Sequence, residues 1–137
     1  MVLEIWGFFF FNGFCNSELY LTAAECYARK GNISQAMELI NTLKKSRWDK
    51  TIAYEPLKAN DKDQALLIIL TERRKELCFK GTRWLDIRRL NREGKNIITQ
   101  TRKIKGINYT LPPNDKRYVY PIPNEEILYS HIEQNER

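Results

Sequence analysis

Hydrophobic and polar positions change their spacing several times along the chain, and each change marks a different kind of element. Met1 to Cys15 is an almost unbroken apolar run, with Phe8 to Phe11 between Gly7 and Gly13. A short apolar run bounded by glycines reads as a buried strand or loop. Residues 1–16 therefore stand apart as an apolar segment of uncertain origin, distinct from a domain over 17–137. From Ser17 the spacing becomes helical. Ser17 is placed to cap, Glu18 suits the positive helix end, and Leu19, Tyr20, Ala23, Ala24, Tyr27 and Ala28 recur every three to four residues. Arg29 and Lys30 favour the end of that helix and Gly31-Asn32 stop it. Ser34 restarts a second helix carrying Ala36, Met37, Leu39, Ile40 and Leu43 and ending near Trp48. So short a connection permits only an antiparallel pair.

Small residues set how closely that pair packs. Ala24 faces the partner, Gly31 makes the turn, and Ala36 lets the second helix approach; Cys26 reads as a small buried residue. The pattern Tyr27-x3-Gly31-x4-Ala36 resembles one tetratricopeptide repeat. No second copy recurs at a fixed offset, and a single repeat cannot close its own core, so the hairpin needs neighbours. Between Arg47 and Asn60 periodicity is lost. Trp48, Tyr54, Pro56 and Leu57 sit in a loop, where aromatics either stack on a ligand ring or, the stronger expectation, cover the helices below.

Asp61 or Asp63 caps a third helix with Leu66, Leu67, Ile69, Leu70, Arg73, Leu77 and Cys78, ended by Gly81. A short fourth helix follows from Thr82 to Leu90 and stops near Gly94, with Phe79, Trp84, Leu85 and Leu90 expected to clamp the Gly81 turn. After Arg102 the chain is irregular. Pro112-Pro113, Pro121 and Pro123 forbid regular helix, so this stretch reads as an ordered strap. Ile104–Leu111 and Lys116–Tyr120 are its expected strands, and His131 lies on the surface of a short terminal helix or turn. Tyr109, Tyr118 and Tyr120, interleaved with Lys116 and Arg117, are compatible with carbohydrate contact. The fold class is mainly α, tetratricopeptide-like helical hairpins with a Pro-rich carboxy-terminal strap.

Composition narrows the chemistry. A chain of 137 residues is one ordinary domain's worth of sequence. Cysteines at 15, 26 and 78 form no C-x-x-C pair, which excludes a disulfide framework and a zinc ribbon. A single histidine leaves little room for imidazole catalysis. The expectation is no catalytic residue, no metal site, no cofactor and no enzyme. The net charge of +6 admits nucleic acid as a partner, and Glu72 to Lys105 concentrates it. The acids there stand at pairing distances, however: Glu72 with Lys75, Glu76 with Lys80, Asp86 with Arg89. Such spacing describes interlocked helix faces, and nucleic acid is not expected as a partner. The amino terminus carries Glu4 and no basic residue before Arg29, unlike a secretory signal, and bulky Phe14 precedes Cys15, unlike a lipidation site. No anchor or signal peptide is recognised.

Four motifs, in order, carry a family resemblance. Tyr20, Leu21, Ala24, Glu25, Tyr27, Gly31 and Ala36 form the first, and Glu72-Arg73-Arg74-Lys75-Glu76-Leu77-x-Phe79-x-Gly81-x-Arg83-Trp84-x-Asp86-x-x-Arg89 the second. Leu111 to Asp115 with Tyr120-Pro121-Ile122-Pro123-Asn124-Glu125-Glu126-Ile127 is the third, and Gln134-Asn135 the last. Together they resemble the RagB/SusD outer-membrane nutrient-uptake proteins, with Lys80 where that family usually places an acid. The resemblance implies the carboxy-terminal portion of a protein several times longer. It also implies a non-enzymatic, surface-exposed lipoprotein of the outer membrane, which passes oligosaccharides or other nutrients to a TonB-dependent outer-membrane transporter. No ligand-binding residue of the family maps onto these motifs. The alternative is a free-standing tetratricopeptide-type protein-interaction module.

Overall fold

The first helix, α1 (Asn16–Arg29), is capped by Cys15 rather than Ser17. Cys15 accepts the Glu18 backbone N–H at 3.0 Å, and Ser17 turns inward as a buried residue whose Oγ lies 3.2 Å from Cys15 Sγ. The computed structural model describes residues 15–94 and 98–137, so the reading of Phe8 to Phe11 lies outside the described residues. The chain divides into two compact units, Met1–Arg83 and Trp84–Arg137.

In the first unit, α1 gives way to α2 (Ile33–Arg47) through a tight reversal. Gly31, at φ +84°, sends its N–H to the Ala28 carbonyl at 3.0 Å while Asn32 N–H reaches Tyr27 at 2.9 Å. This paired closure satisfies the last carbonyls of α1 and requires a left-handed residue between them. It returns the chain so quickly that Asn32, not Ser34, becomes the cap of α2, its Oδ1 accepting from Gln35 N–H. The third helix, α3 (Lys62–Glu76), is capped by Asp61, whose carboxylate accepts the Gln64 N–H at 2.8 Å. Gln64 accepts in return from Asn60 N–H at 2.7 Å, a reciprocal exchange close to a capping box.

The core is where the alanines meet. Leu21, Ala24, Ala28, Ala36, Met37, Ile40, Leu43, Ala65, Ile69 and Leu77 form one buried cluster. The α2 stripe matches the periodicity. The α1 stripe is rotated: Leu21 is fully buried, while Leu19 is 59% exposed and Tyr20 also faces outward. With apolar residues on two faces, α1's own sequence leaves the choice of inner face open. Cys26, expected to be buried, is on the exposed side. Helix α3 ends five residues before Gly81 because Leu77 closes it with a bond to Arg73, and Phe79 turns left-handed at φ 63°. Phe79 and Leu85, expected to pack at the Gly81 turn, are 79% and 64% exposed.

In the second unit, α4 (Arg83–Glu93) buries Asp86, Ile87, Leu90 and Asn91. A hairpin follows, β1 (Gln100–Ile104) antiparallel to β2 (Ile107–Leu111). The expected strands were Ile104–Leu111 and Lys116–Tyr120. Lys105 and Gly106, both at positive φ, instead make a two-residue turn inside the first of these. Lys116–Tyr118 is a short 3₁₀ turn, capped by Asp115 and followed by α5 (Asn124–Ser130), with His131 exposed at its end. The protein is thus mainly helical with a Pro-rich strap.

Candidate functional site

The charged motif at the end of α3 is a set of joints between helices. Buried Arg73 reaches α1, with Nη1 3.4 Å from Thr22 Oγ1 and Nη2 3.5 Å from Glu18 Oε1. Glu76 holds α2 through Arg47, whose Nη2 donates at 2.8 Å and Nε at 3.2 Å. That pairing raises the Arg47 guanidinium above its ordinary pKa. Glu72 sits between two lysines, Lys75 at 2.7 Å and Lys44 at 3.7 Å. Of the expected pairs, Glu72–Lys75 and Asp86–Arg89 form, the latter at 2.9 Å.

Lys44, Arg47, Glu72, Lys75 and Glu76 wall a cleft of about 190 Å³ between the ends of α2 and α3, with Leu43 and Trp48 completing its lining. Trp48 is 39% exposed and caps α2 in an extended conformation. Its indole packs edge-on against Tyr54, ring centroids 5.5 Å apart, with Lys44 Nζ 6.0 Å from the indole centre. Tyr54 is held in turn by Asn41. The Tyr54 hydroxyl donates to Asn41 Oδ1 at 2.6 Å, and burial, then the nearby Glu72 charge, raises its pKa. Asn41 also clasps one loop residue at both backbone groups, accepting Leu57 N–H at 2.8 Å and donating to Leu57 C=O at 2.9 Å. The covering role expected of the loop aromatics is met by Tyr54, which is tied to α2 through Asn41. Trp48 keeps part of its ring open beside five charged side chains. Asn41, which periodicity alone does not single out, sets that arrangement.

A second aromatic group lies in the Trp84–Arg137 unit. Trp84 packs on Tyr118 (centroids 5.1 Å) and stacks on Tyr120 (5.5 Å, 29° between planes). Tyr118 is buried, whereas Tyr120 is 67% exposed. The strap is fastened by its own tail. Pro121 and Pro123 have no N–H, so Ile122 supplies the one backbone donor between them. Gln134 takes that N–H at 2.8 Å and donates to the Ile122 carbonyl at 3.0 Å, while Asn135 Nδ2 donates to Tyr120 C=O at 2.7 Å. The P-I-P and Q-N motifs, twelve residues apart, are two halves of one clasp. At the other end Arg117 grips Asp115 at 2.8 and 2.7 Å and the Thr110 carbonyl at 3.1 Å. The Arg117 hydrogen bonds hold the Asp115 carboxyl down at about 2.

The arrangement provides two partly open aromatic faces on fixed scaffolds, Trp48 and Tyr120. The carboxylates at the cleft each face a cation, Glu72 with Lys44 and Lys75 and Glu76 with Arg47. Among the described residues, no group of three or more His, Cys, Asp or Glu is placed to hold a metal ion. No helix among them is long and apolar enough to cross a membrane.

The comparisons with known proteins agree with the motifs. Residues 16–136 match the model of the SusD family. A curated relative, a SusD-like protein P38 of Formosa agariphila, is 32% identical over 80 residues, covering 56% of this chain and 16% of its own length. The crystal structure of a SusD-like protein from Bacteroides fragilis superposes with a TM-score of 0.56 at 23% identity, over 87% of this chain and 24% of that one. The chain therefore spans a quarter or less of the relatives it matches. Each stretch that carried the resemblance contributes to a physical joint of the fold: the alanine-lined hairpin, the α3 charge network, and the strap closed by its tail. With the family model running unbroken across both units, the chain belongs to the SusD family.

Proposed function

We propose that this chain is the carboxy-terminal scaffold of a surface-exposed nutrient-binding protein, one that hands oligosaccharides or similar solutes to a TonB-dependent transporter in the outer membrane. The observation that carries the reading is the SusD-family match over residues 16–136. The geometry agrees in kind: glycan rings dock on aromatic faces beside polar side chains, and Trp48 and Tyr120 are held in such settings. The chain acts as a binder and not as a catalyst, because its carboxylates near the cleft are engaged by cations. Affinity electrophoresis of the chain in gels containing soluble polysaccharides tests this. Retardation by a glycan that Trp48→Ala or Tyr120→Ala weakens is the expected result. Unretarded migration across neutral and acidic glycans counts against ligand contact by this part of the protein.

One observation favours a second reading, a tetratricopeptide-type module binding a peptide: the outward row of Leu19 and Tyr20 on α1. Thermal unfolding separates the two. A single cooperative transition of the isolated chain favours a self-sufficient module, and a broad, non-cooperative one favours a scaffold that needs further chain.

A further inference from the structure

The β1–β2 hairpin sorts its residues by face and by height. Pairing puts Arg102 opposite Tyr109 and Ile104 opposite Ile107 on one face, with Thr101–Thr110 and Lys103–Asn108 on the other. The apolar pair sits at the apex, joined only by Lys105 and Gly106 in the tight turn. Every residue from Thr101 to Thr110 is exposed, including Ile104 at 47%, Ile107 at 59% and Tyr109 at 52%. The base is fixed by Arg117, whose Nη2 holds the Thr110 carbonyl and whose charge is answered by Asp115. Between Ile98 and Leu111 the chain carries Arg102, Lys103 and Lys105 and no acid. None of the three is in an ion pair among the described residues.

Charge and shape together select the occupant. A second copy pairing along the strand edge brings like charges together, the standard way in which proteins keep edges apart. Nucleic acid fits the cations but meets an apex of two isoleucines with no polar group of their own. An anionic bilayer satisfies every part. Isoleucines enter the headgroup–acyl boundary, a tyrosine sits at interface height, and basic side chains lie back along their stems to reach phosphates. We propose that this hairpin is a membrane-contact element, which seats Ile104 and Ile107 among the headgroups of an anionic phospholipid surface with Arg102, Lys103 and Lys105 on the lipid phosphates. The proposal goes beyond nutrient binding and stands without it.

Co-sedimentation of the 137-residue chain with vesicles decides the matter. The chain is expected to pellet with mixed phosphatidylcholine–phosphatidylglycerol vesicles at low salt and to stay in solution with pure phosphatidylcholine. Replacing Ile104→Ser with Ile107→Ser, or Lys103→Gln with Lys105→Gln, is expected to weaken that binding about tenfold in each case. No binding to the mixed vesicles overturns the proposal. So does binding that the serine pair leaves unchanged, because that is attraction to a polyanion without apex contact. A variant that keeps the apex apolar gives an independent check. Ile107→Trp should show a blue-shifted emission on the mixed vesicles, and an unshifted spectrum also overturns the proposal. Glycan retardation in the affinity gels is unaffected by either result, so the two readings fail separately.

Discussion

The two units solve the problem of buried polar groups differently. In the first, Arg73, Asn41 and Ser17 all sit low in the structure and all meet partners, while the buried cluster is purely aliphatic. In the second, the indole N–H of Trp84, both amide atoms of Asn91 and the Tyr118 hydroxyl are buried with no hydrogen-bond partner among the described residues. Trp84 and Asn91 are seven residues apart on α4, two turns along one helical face. The contrast teaches where local order comes from. Three helices crossing through alanines form a core at short range, whereas two helices of about three turns or fewer, a hairpin and a strap are held mainly by side-chain clasps to backbone.

The contrast is broken most directly by removing core volume. Ile40→Ala, at a fully buried position in α2, should cost about 2–5 kcal/mol of unfolding free energy. Leu128→Ala, on exposed α5, should lie within about 0.5 kcal/mol of the parent. Urea denaturation followed by far-ultraviolet circular dichroism measures both; equal costs would erase the distinction. Next in size is Asn41→Ala, which strands the Leu57 backbone groups and the Tyr54 hydroxyl at once and should cost about 1–3 kcal/mol in the same assay. Trp48 emission should also shift to the red as its Tyr54 buttress loosens.

Asn91→Leu tests the opposite expectation. Removing a buried amide that has no partner among the described residues should leave stability unchanged or raise it by about 1–2 kcal/mol. A clear loss would mean that the second unit's polar groups are satisfied after all. The smallest effect is a titration. Asp115 is held at about 2 by Arg117, below its unfolded value near 3.8. A depressed carboxylate contributes stability that is complete above the unfolded pKa and lost as pH falls through the folded one, here between about pH 4 and pH 2. Carboxyl NMR of Asp115 should follow that low midpoint, and Arg117→Gln should return it towards 3.8.

Much of this fold was legible in the spacing of residues. The α2 stripe, the Asp61 cap, the Gly31 reversal and the end of α4 at Gly94 all follow from local chemistry, and the structure has them there. The departures have separate causes. Helix α1 has apolar side chains on two faces, and only packing against α2 and α3 decides that Leu21 goes in and Leu19 stays out. The hairpin was misplaced because Lys105-Gly106 is a weaker turn signal than Pro112-Pro113, although both of its residues adopt positive φ. Of the candidate site, the aromatics were visible in the sequence, but Asn41, which positions Tyr54 and Leu57 from thirteen and sixteen residues away, was not.

The sequence by itself determined the helical class and the charge pairs within single helices, which rest on residues a few positions apart, and the family, which rests on the order of its motifs along the chain. Tertiary structure alone decided what those motifs do. Glu76 meets Arg47 across 29 positions, Arg73 meets Glu18 across 55, and Gln134 closes on Ile122. No local propensity encodes such meetings. They are chosen when helices and strap fold back and bring distant donors and acceptors within reach of one another.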